Sequence, residues 1–186
     1  MKTFFLKNEI TYTGLELSST WIQEHAHERN DCLVSFIGPA HVPISNIVDL
    51  DDVKNNAPIY SPKMLHFLAY HQCISLELAV TRQQLFVLLV IEWLQQENIA
   101  SKRIRRRGND ISVDEGKLSV SIAAPAPNGC CLHFAMNIET AGTPVPTSGL
   151  SELDINPILA AETLMQRYEA ELAHISRAQT KVRGVN

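Results

Sequence analysis

Leu85, Leu88, Leu89 and Trp93 recur at spacings of three and four, with Leu78 seven positions before, and Arg82, Gln83, Gln95 and Gln96 take the other face. That period predicts a helix over 76–96, apolar enough to lie mostly buried. A different period governs Leu118, Val120 and Ile122, which alternate with Ser119, Ser121 and Ala123 as in a half-buried strand. Cys32-Leu33-Val34-Ser35-Phe36-Ile37 is unbroken apolar sequence rich in strand-forming residues, and predicts a buried strand that stops at Gly38-Pro39. Further strands are predicted over 102–107, 111–113 and 131–138, with turns at Gly108-Asn109, Glu115-Gly116 and Asn128-Gly129. Residues 3–6 and 10–12 read as a small hairpin or paired strands around Lys7–Glu9. Hydroxyls at Ser18, Ser19 and Thr20 open a first helix over about 16–28, and Pro157 sits in the first turn of a last one over 156–177. Residues 40–62 and 141–151 read as loops, and the apolar run 64–68 fits strand and helix equally. The sum is an α+β fold, a single domain over 1–177 with a flexible tail over 178–186.

Composition narrows the function. A chain of 186 residues, 45% hydrophobic and 19% charged, has the size and balance of one folded domain and is not generally disordered. A formal charge of −4 argues against a dedicated polyanion binder, so nucleic acid is not an expected partner; only the basic run 102–107 speaks for one. The apolar opening ends at Lys7, too early for a secretory signal, and the stretch 85–94 contains Glu92 and is half a membrane span. A cytoplasmic protein without membrane association is expected. Cys32, Cys73, Cys130 and Cys131 form no C-x-x-C pair, which predicts reduced thiols, and His133 has no companion cluster for a zinc site.

The unusual residues concentrate in three runs, Arg105-Arg106-Arg107-Gly108-Asn109-Asp110, Glu115-Gly116-Lys117-Leu118 and Leu132-His133-Phe134-Ala135-Met136-Asn137-Ile138. Each admits a purely structural reading. Lys117 and Asn109-Asp110 suit solvated turns, and the arginines suit a charged strand edge that resists pairing. Alternation sends Arg105 and Arg107 to one face of a strand and Arg106 to the other. Asp49, Asp51 and Asp52 would suit a hard cation but are expected as solvated loop acids, with no metal site assigned. His66 and His133, set among apolar residues, read as core or pocket-lining histidines.

In their order and spacing, Asn109, Asp110, Gly116, Lys117, Leu118, His133, Asn137 and Ile138 resemble the biotin and lipoate ligase superfamily, octanoyl transferases included. A second resemblance runs along nearly the whole chain. Phe36-Ile37-Gly38-Pro39-Ala40 with Val42, Val48-Asp49-Leu50-Asp51-Asp52-Val53, and Ser61 with Met64-Leu65-His66-Phe67 look like the domain of unknown function 366 family. Both imply a ligase-like mixed sheet flanked by helices. The resemblance implies that Lys117 is the catalytic contact to a carboxylate or acyl phosphate, where an ammonium offsets charge on the acyl oxygen. Beside it, substrate-binding roles are expected for Asn109, Asp110 and His133, for Arg105 and Arg107 as bidentate anchors of a phosphate or carboxylate, and for Ser148. Asp49 and Asp52, which the 366 resemblance marks, and His66 are further pocket candidates. The implied partners are a small carboxylate or acyl ligand with ATP or an acyl-carrier protein; no cofactor is named, and exposed sheet edges allow a homodimer. Two departures stand out. Pro146-Thr147-Ser148-Gly149 replaces the Pro-Cys-Gly turn of octanoyl transferases, and Gly38-Pro39-Ala40 stands in place of the Gly-rich loop of lipoate ligases. They support an alternative, a non-catalytic binding module on the same sheet.

Overall fold

Fourteen consecutive residues, Ile59–Gln72, stay extended and form the central strand (β3) of the molecule. The computed structural model describes residues 1–97, 99–100 and 103–185. Before β3 come β1 (Lys2–Leu6), α1 (Ser19–Ala26), β2 (Cys32–Val42) and the short α2 (Leu50–Lys54). After it come α3 (Leu76–Gln96), β4 (Ile104–Arg107), β5 (Asp110–Val113), β6 (Gly116–Lys117), β7 (Ser119–Ala126), β8 (Gly129–Glu139) and α4 (Pro157–Thr180). Five strands form one sheet in the order β1-β2-β3-β8-β7, and β4-β5-β6 form a second, smaller one. Only β1 runs parallel to its neighbour in the large sheet; the other pairs are antiparallel.

The period-two alternation of β3 and β8 divides the core. Leu65, Phe67 and Ala69 with Leu132, Phe134 and Met136 face α3 and α4, where Phe86, Val90, Leu164 and Tyr168 close a large cluster. Leu68 and Tyr70 with Cys131 join Tyr12, Ile22 and Phe36 under α1. Side-chain caps start the helices: Ser18 Oγ accepts from Trp21 N at 3.1 Å, Ser75 Oγ from Leu78 N at 3.2 Å and Asn156 Oδ1 from Ile158 N at 2.9 Å. Each is worth about 1 kcal/mol of helix stability. At one end of the sheet the buried His71 joins α3 and α4, its Nε2 lying 2.9 Å from the Tyr168 hydroxyl and its Nδ1 accepting from Arg82 at 2.7 Å. Among the described residues no helix is long and apolar enough to cross a membrane.

Several local expectations need correction. Residues 3–6 and 10–12 make no hairpin; β1 pairs in parallel with β2, and Tyr12 bridges Ala40 in parallel further along the same strand. The backbone of β2 takes up both segments, with Ile10 N donating to Ile37 O at 3.1 Å and Tyr12 N to Pro39 O at 2.8 Å. Gly38-Pro39 does not end β2, which continues to Val42 through a bulge between Gly38 and Ala40. Glycine is required there, because a Cβ on Gly38 would lie 1.9 Å from the Ile10 carbonyl oxygen. The segment 40–62 is less irregular than expected, since the end of β2, α2 and the start of β3 occupy it. The ambiguous run 64–68 is the middle of β3. The basic strand is β4, and Lys102 at its expected start lies outside the described residues.

Candidate functional site

A cavity of about 380 Å³ opens on the α1 side of the large sheet, between β7, β8, the β5–β6 edge and the connection that holds α2. Its charged lining consists of Lys117, Asp110, Asp49 and Asp52. Val120 and Ile122 of β7 and Met64 of β3 supply apolar wall.

Lys117 owes its place to backbone constraints. Its N donates to Pro146 O at 3.0 Å, and its carbonyl accepts from Ser148 N at 3.1 Å and Asn137 Nδ2 at 3.0 Å. The residue before it is Gly116, where a Cβ would come within 2.3 Å of Ser148 Oγ, so only glycine lets β6 approach the 146–149 loop this closely. The ammonium, its side chain 37% exposed, pairs with Asp110 Oδ2 at 2.8 Å. Register explains the pairing: Lys117 stands opposite Ser112, and Asp110, two positions along β5, shares that face. Asn109 ties the hairpin to β7 by donating from Nδ2 to Ser121 O at 2.6 Å.

Asp49 caps α2, accepting from Asp51 N at 2.9 Å and Asp52 N at 3.4 Å. Partial burial, then the charge of Asp49, hold the Asp52 carboxyl above its usual range, while Lys117 pulls it back. Three carboxylates against one ammonium leave the charged end of the cavity formally negative. Among the described residues no group of three or more His, Cys, Asp or Glu side chains is placed to hold a metal ion.

His133 lines the cavity and is buried. Its Nε2 lies 3.1 Å from Nδ1 of His66, whose own Nε2 lies 3.1 Å from Gly38 O. Burial lowers both imidazoles, His66 to about 4, and keeps the pair neutral near pH 7. Tyr12 stacks on the His133 ring at 4.1 Å between centroids, and Phe36 on His66 at 4.8 Å.

The structure therefore brings Lys117, Asn109, Asp110, Asp49, Asp52 and His133 to one cavity and sets His66 directly behind it. Arg105 and Arg107 lie outside the lining; they share the Asp110–Lys117 face of the small sheet, with Arg105 exposed and paired to Glu115 at 3.2 Å. Arg106 points the other way, donating to Gly108 O at 2.8 Å and to Gln84 of α3. Ser148 is also absent from the lining, its hydroxyl donating to Val113 O at 2.9 Å. All four cysteines are free, and burial pushes the Cys32 thiol up to about 11 and Cys131 to about 12.

Sequence reasoning gave no role to three residues of this site, although two of them, Asn137 and Ser61, stood in the runs that carry the family resemblances. Asn137 accepts from Ser61 Oγ at 2.9 Å as well as donating to Lys117 O, and so clamps β8 to β3 and β6. A lone amide in the apolar run of β8 was the available signal. Ser61 stood in the run that resembles the 366 family but was given no role, and Tyr12 carried no signal, because the segment that delivers it meets the site only through strand pairing.

The profile of the family described as "Domain of unknown function (DUF366)" matches residues 1–183. An uncharacterised protein from Methanocaldococcus jannaschii is 30% identical over 164 residues, which span 85% of this chain and 73% of that protein. Among solved structures, a protein of unknown function from Pyrococcus horikoshi superposes with a TM-score of 0.91 at 29% identity, covering 99% of this chain and all of that one. A putative lipoate protein ligase from Thermoplasma acidophilum, also solved with bound lipoic acid, gives 0.62 at 14% identity over 93% of this chain and 85% of its own. The biotin protein ligase of Aquifex aeolicus gives 0.60 at 13% identity over 95% and 71%. The fold is thus that of the biotin and lipoate protein ligases.

Proposed function

This chain belongs to the family of the domain of unknown function 366, and from that premise we propose that its cavity binds a small carboxylate, or an activated form of one, with Lys117 holding the acyl head group. The observation that carries the reading is the half-exposed ammonium of Lys117 at the charged end of a cavity whose walls continue as apolar strand. Apolar wall suits a hydrocarbon body and the ammonium suits its head. The likeness of fold to a protein solved with lipoic acid supports the same class of guest. In a catalytic form the second partner is ATP or an acyl-carrier protein, and Arg105 and Arg107, on the face of Lys117, are the side chains offered to its anionic groups.

One observation favours the second reading, a binding module without chemistry. The 146–149 loop carries no thiol, and the hydroxyl of Ser148 is spent on Val113 O, so transfer through an enzyme-bound ester has no activated nucleophile at that loop.

Calorimetric titration of the full chain with octanoate, lipoate and biotin, with and without magnesium ATP, tests both readings. Lys117→Met keeps the methylene stem and the backbone bonds and removes the charge. The expected loss of carboxylate affinity is about 30-fold or more. The melting temperature should stay within a few degrees, because a half-exposed ion pair contributes about 1 kcal/mol or less. Unchanged affinity in Lys117→Met would exclude the role given to Lys117. Saturable adenylate formation with the wild type would exclude the module reading.

A further inference from the structure

The histidine pair at the cavity fixes its own protons. Gly38 O is a carbonyl and can only accept, so His66 Nε2, 3.1 Å away, carries a hydrogen. A neutral His66 then has a lone pair on Nδ1, and the contact at 3.1 Å requires the proton on His133 Nε2. Neutral His133 is left with an unprotonated Nδ1. That nitrogen has no hydrogen-bond partner among the described residues, and no fully buried side-chain nitrogen or oxygen among them is unpaired. His133 is only 4% exposed and lines the cavity, so Nδ1 opens into it. The stacked ring of Tyr12 holds the imidazole in that orientation.

Position sets what such a lone pair can meet. His133 and Asn137 lie on the same face of β8, four residues apart, and Asn137 touches Lys117 O. At the rise of an extended strand their Cα atoms are about 13 Å apart. The ammonium of Lys117 is drawn from the Asn137 end toward His133, because it reaches Asp110, and the adjacent Asn109 bonds Ser121 O, opposite Phe134. Between them the wall is apolar, with Ala135 packed against Met64 and Val120.

We infer that the guest of this cavity carries a hydrogen-bond donor, N–H or O–H, in its body in addition to its carboxylate, and that His133 Nδ1 accepts it. The inference rests on the carboxylate reading and narrows it to a class. Unadorned fatty acyl chains leave a desolvated lone pair without a partner. A chain ending in a hydroxyl, or in an amide or cyclic urea, satisfies it. A site built to bond one donor discriminates against the analogue that lacks it far more strongly than apolar contacts discriminate by size.

The test uses the full chain and three probes: octanoate, 8-hydroxyoctanoate and desthiobiotin. At least one donor-bearing probe is expected to bind tenfold or more tightly than octanoate, and the tighter of the two identifies O–H or N–H as the group. In His133→Phe that preference should collapse toward one. Should that variant fail to fold, nitrogen-15 NMR of the wild type decides independently: His133 Nδ1 should resonate as an unprotonated nitrogen and shift on binding the donor-bearing probe. Octanoate binding as tightly as both other probes, or a proton found on Nδ1, overturns the inference and leaves the carboxylate reading standing. Failure of all three carboxylates to bind sinks both.

Discussion

Lowering the pH from 7.5 to 5 should destabilise this protein chiefly through its buried histidines. Burial on the central strand β3, under the rings of Tyr12, Phe36 and His133, holds His66 neutral and lowers its pKa to about 4, from an ordinary value of 6.5. In the unfolded chain the imidazole protonates through pH 6.5 while the folded chain still excludes the proton. The unfolded state therefore binds more protons, and stability is lost as pH falls below 6.5, levelling off only near the folded value of about 4. The full difference corresponds to about 3 kcal/mol at 1.36 kcal/mol per unit, of which about 2 kcal/mol is gone by pH 5. His133 and His71 are lowered in the same direction, both chiefly by burial, and add to the loss. Carboxylates held low, such as Glu28 at about 2 through Lys2 and Asp31 through Gln72 N and Arg82, lose their contribution as the pH falls through the ordinary carboxylate range toward their folded values, mostly below this window. Urea unfolding at pH 7.5, 6.5, 5.5 and 5 measures the effect. For a domain of this size each kcal/mol moves the midpoint of melting by about 2–4 °C, so melting should fall by at least several degrees at pH 5. A His66→Gln variant should show a shallower pH slope. Unfolding free energy constant to within about 0.5 kcal/mol over that range would refute the claim that the histidines are buried and neutral.

Two further outcomes test the site and its scaffold. Asp110→Asn removes the carboxylate that pairs with Lys117 at 2.8 Å, and should tighten octanoate binding roughly tenfold by calorimetry. Weaker binding would place Asp110 itself in contact with the guest. Gly38→Ala would drive a methyl group into the Ile10 carbonyl, which a Cβ would approach to 1.9 Å, and should cost more than about 2 kcal/mol in urea unfolding; a loss below 0.5 kcal/mol would mean that the bulge is not a constraint.

How much of the site the sequence displayed can be traced residue by residue. Lys117, Asn109 and Asp110 stood out because charged and amide groups punctuate a run of short strands, and their spacing matched a known family. Arg105 and Arg107 were correctly separated from Arg106 by alternation alone, since side chains on a strand change face at every residue. No local signal placed those arginines outside the cavity, because the lining is decided by how far β4 stands from β8 and not by which face a side chain takes. Ser148 looked available for the same reason: a loop sequence does not state that a backbone carbonyl of β5 lies 2.9 Å away.

Periodicity and composition sufficed for the α+β class, the span of α3, and the strands β5, β7 and β8, because each follows from a repeat within a few neighbouring residues. The face of α3 they misassigned, since Gln83 is buried and donates to Ser121 Oγ at 2.8 Å while Leu78 and Leu88 are exposed. What required the folded chain was every relation between distant segments. The parallel docking of 2–12 along β2 rests on hydrogen bonds between residues about 30 positions apart, and no local pattern encodes them. The pairing of His66 with His133 spans 67 positions, and it alone fixes which imidazole nitrogen meets the cavity. Local preference names the elements, but a lone pair acquires a direction only when strands far apart in the chain are brought into register.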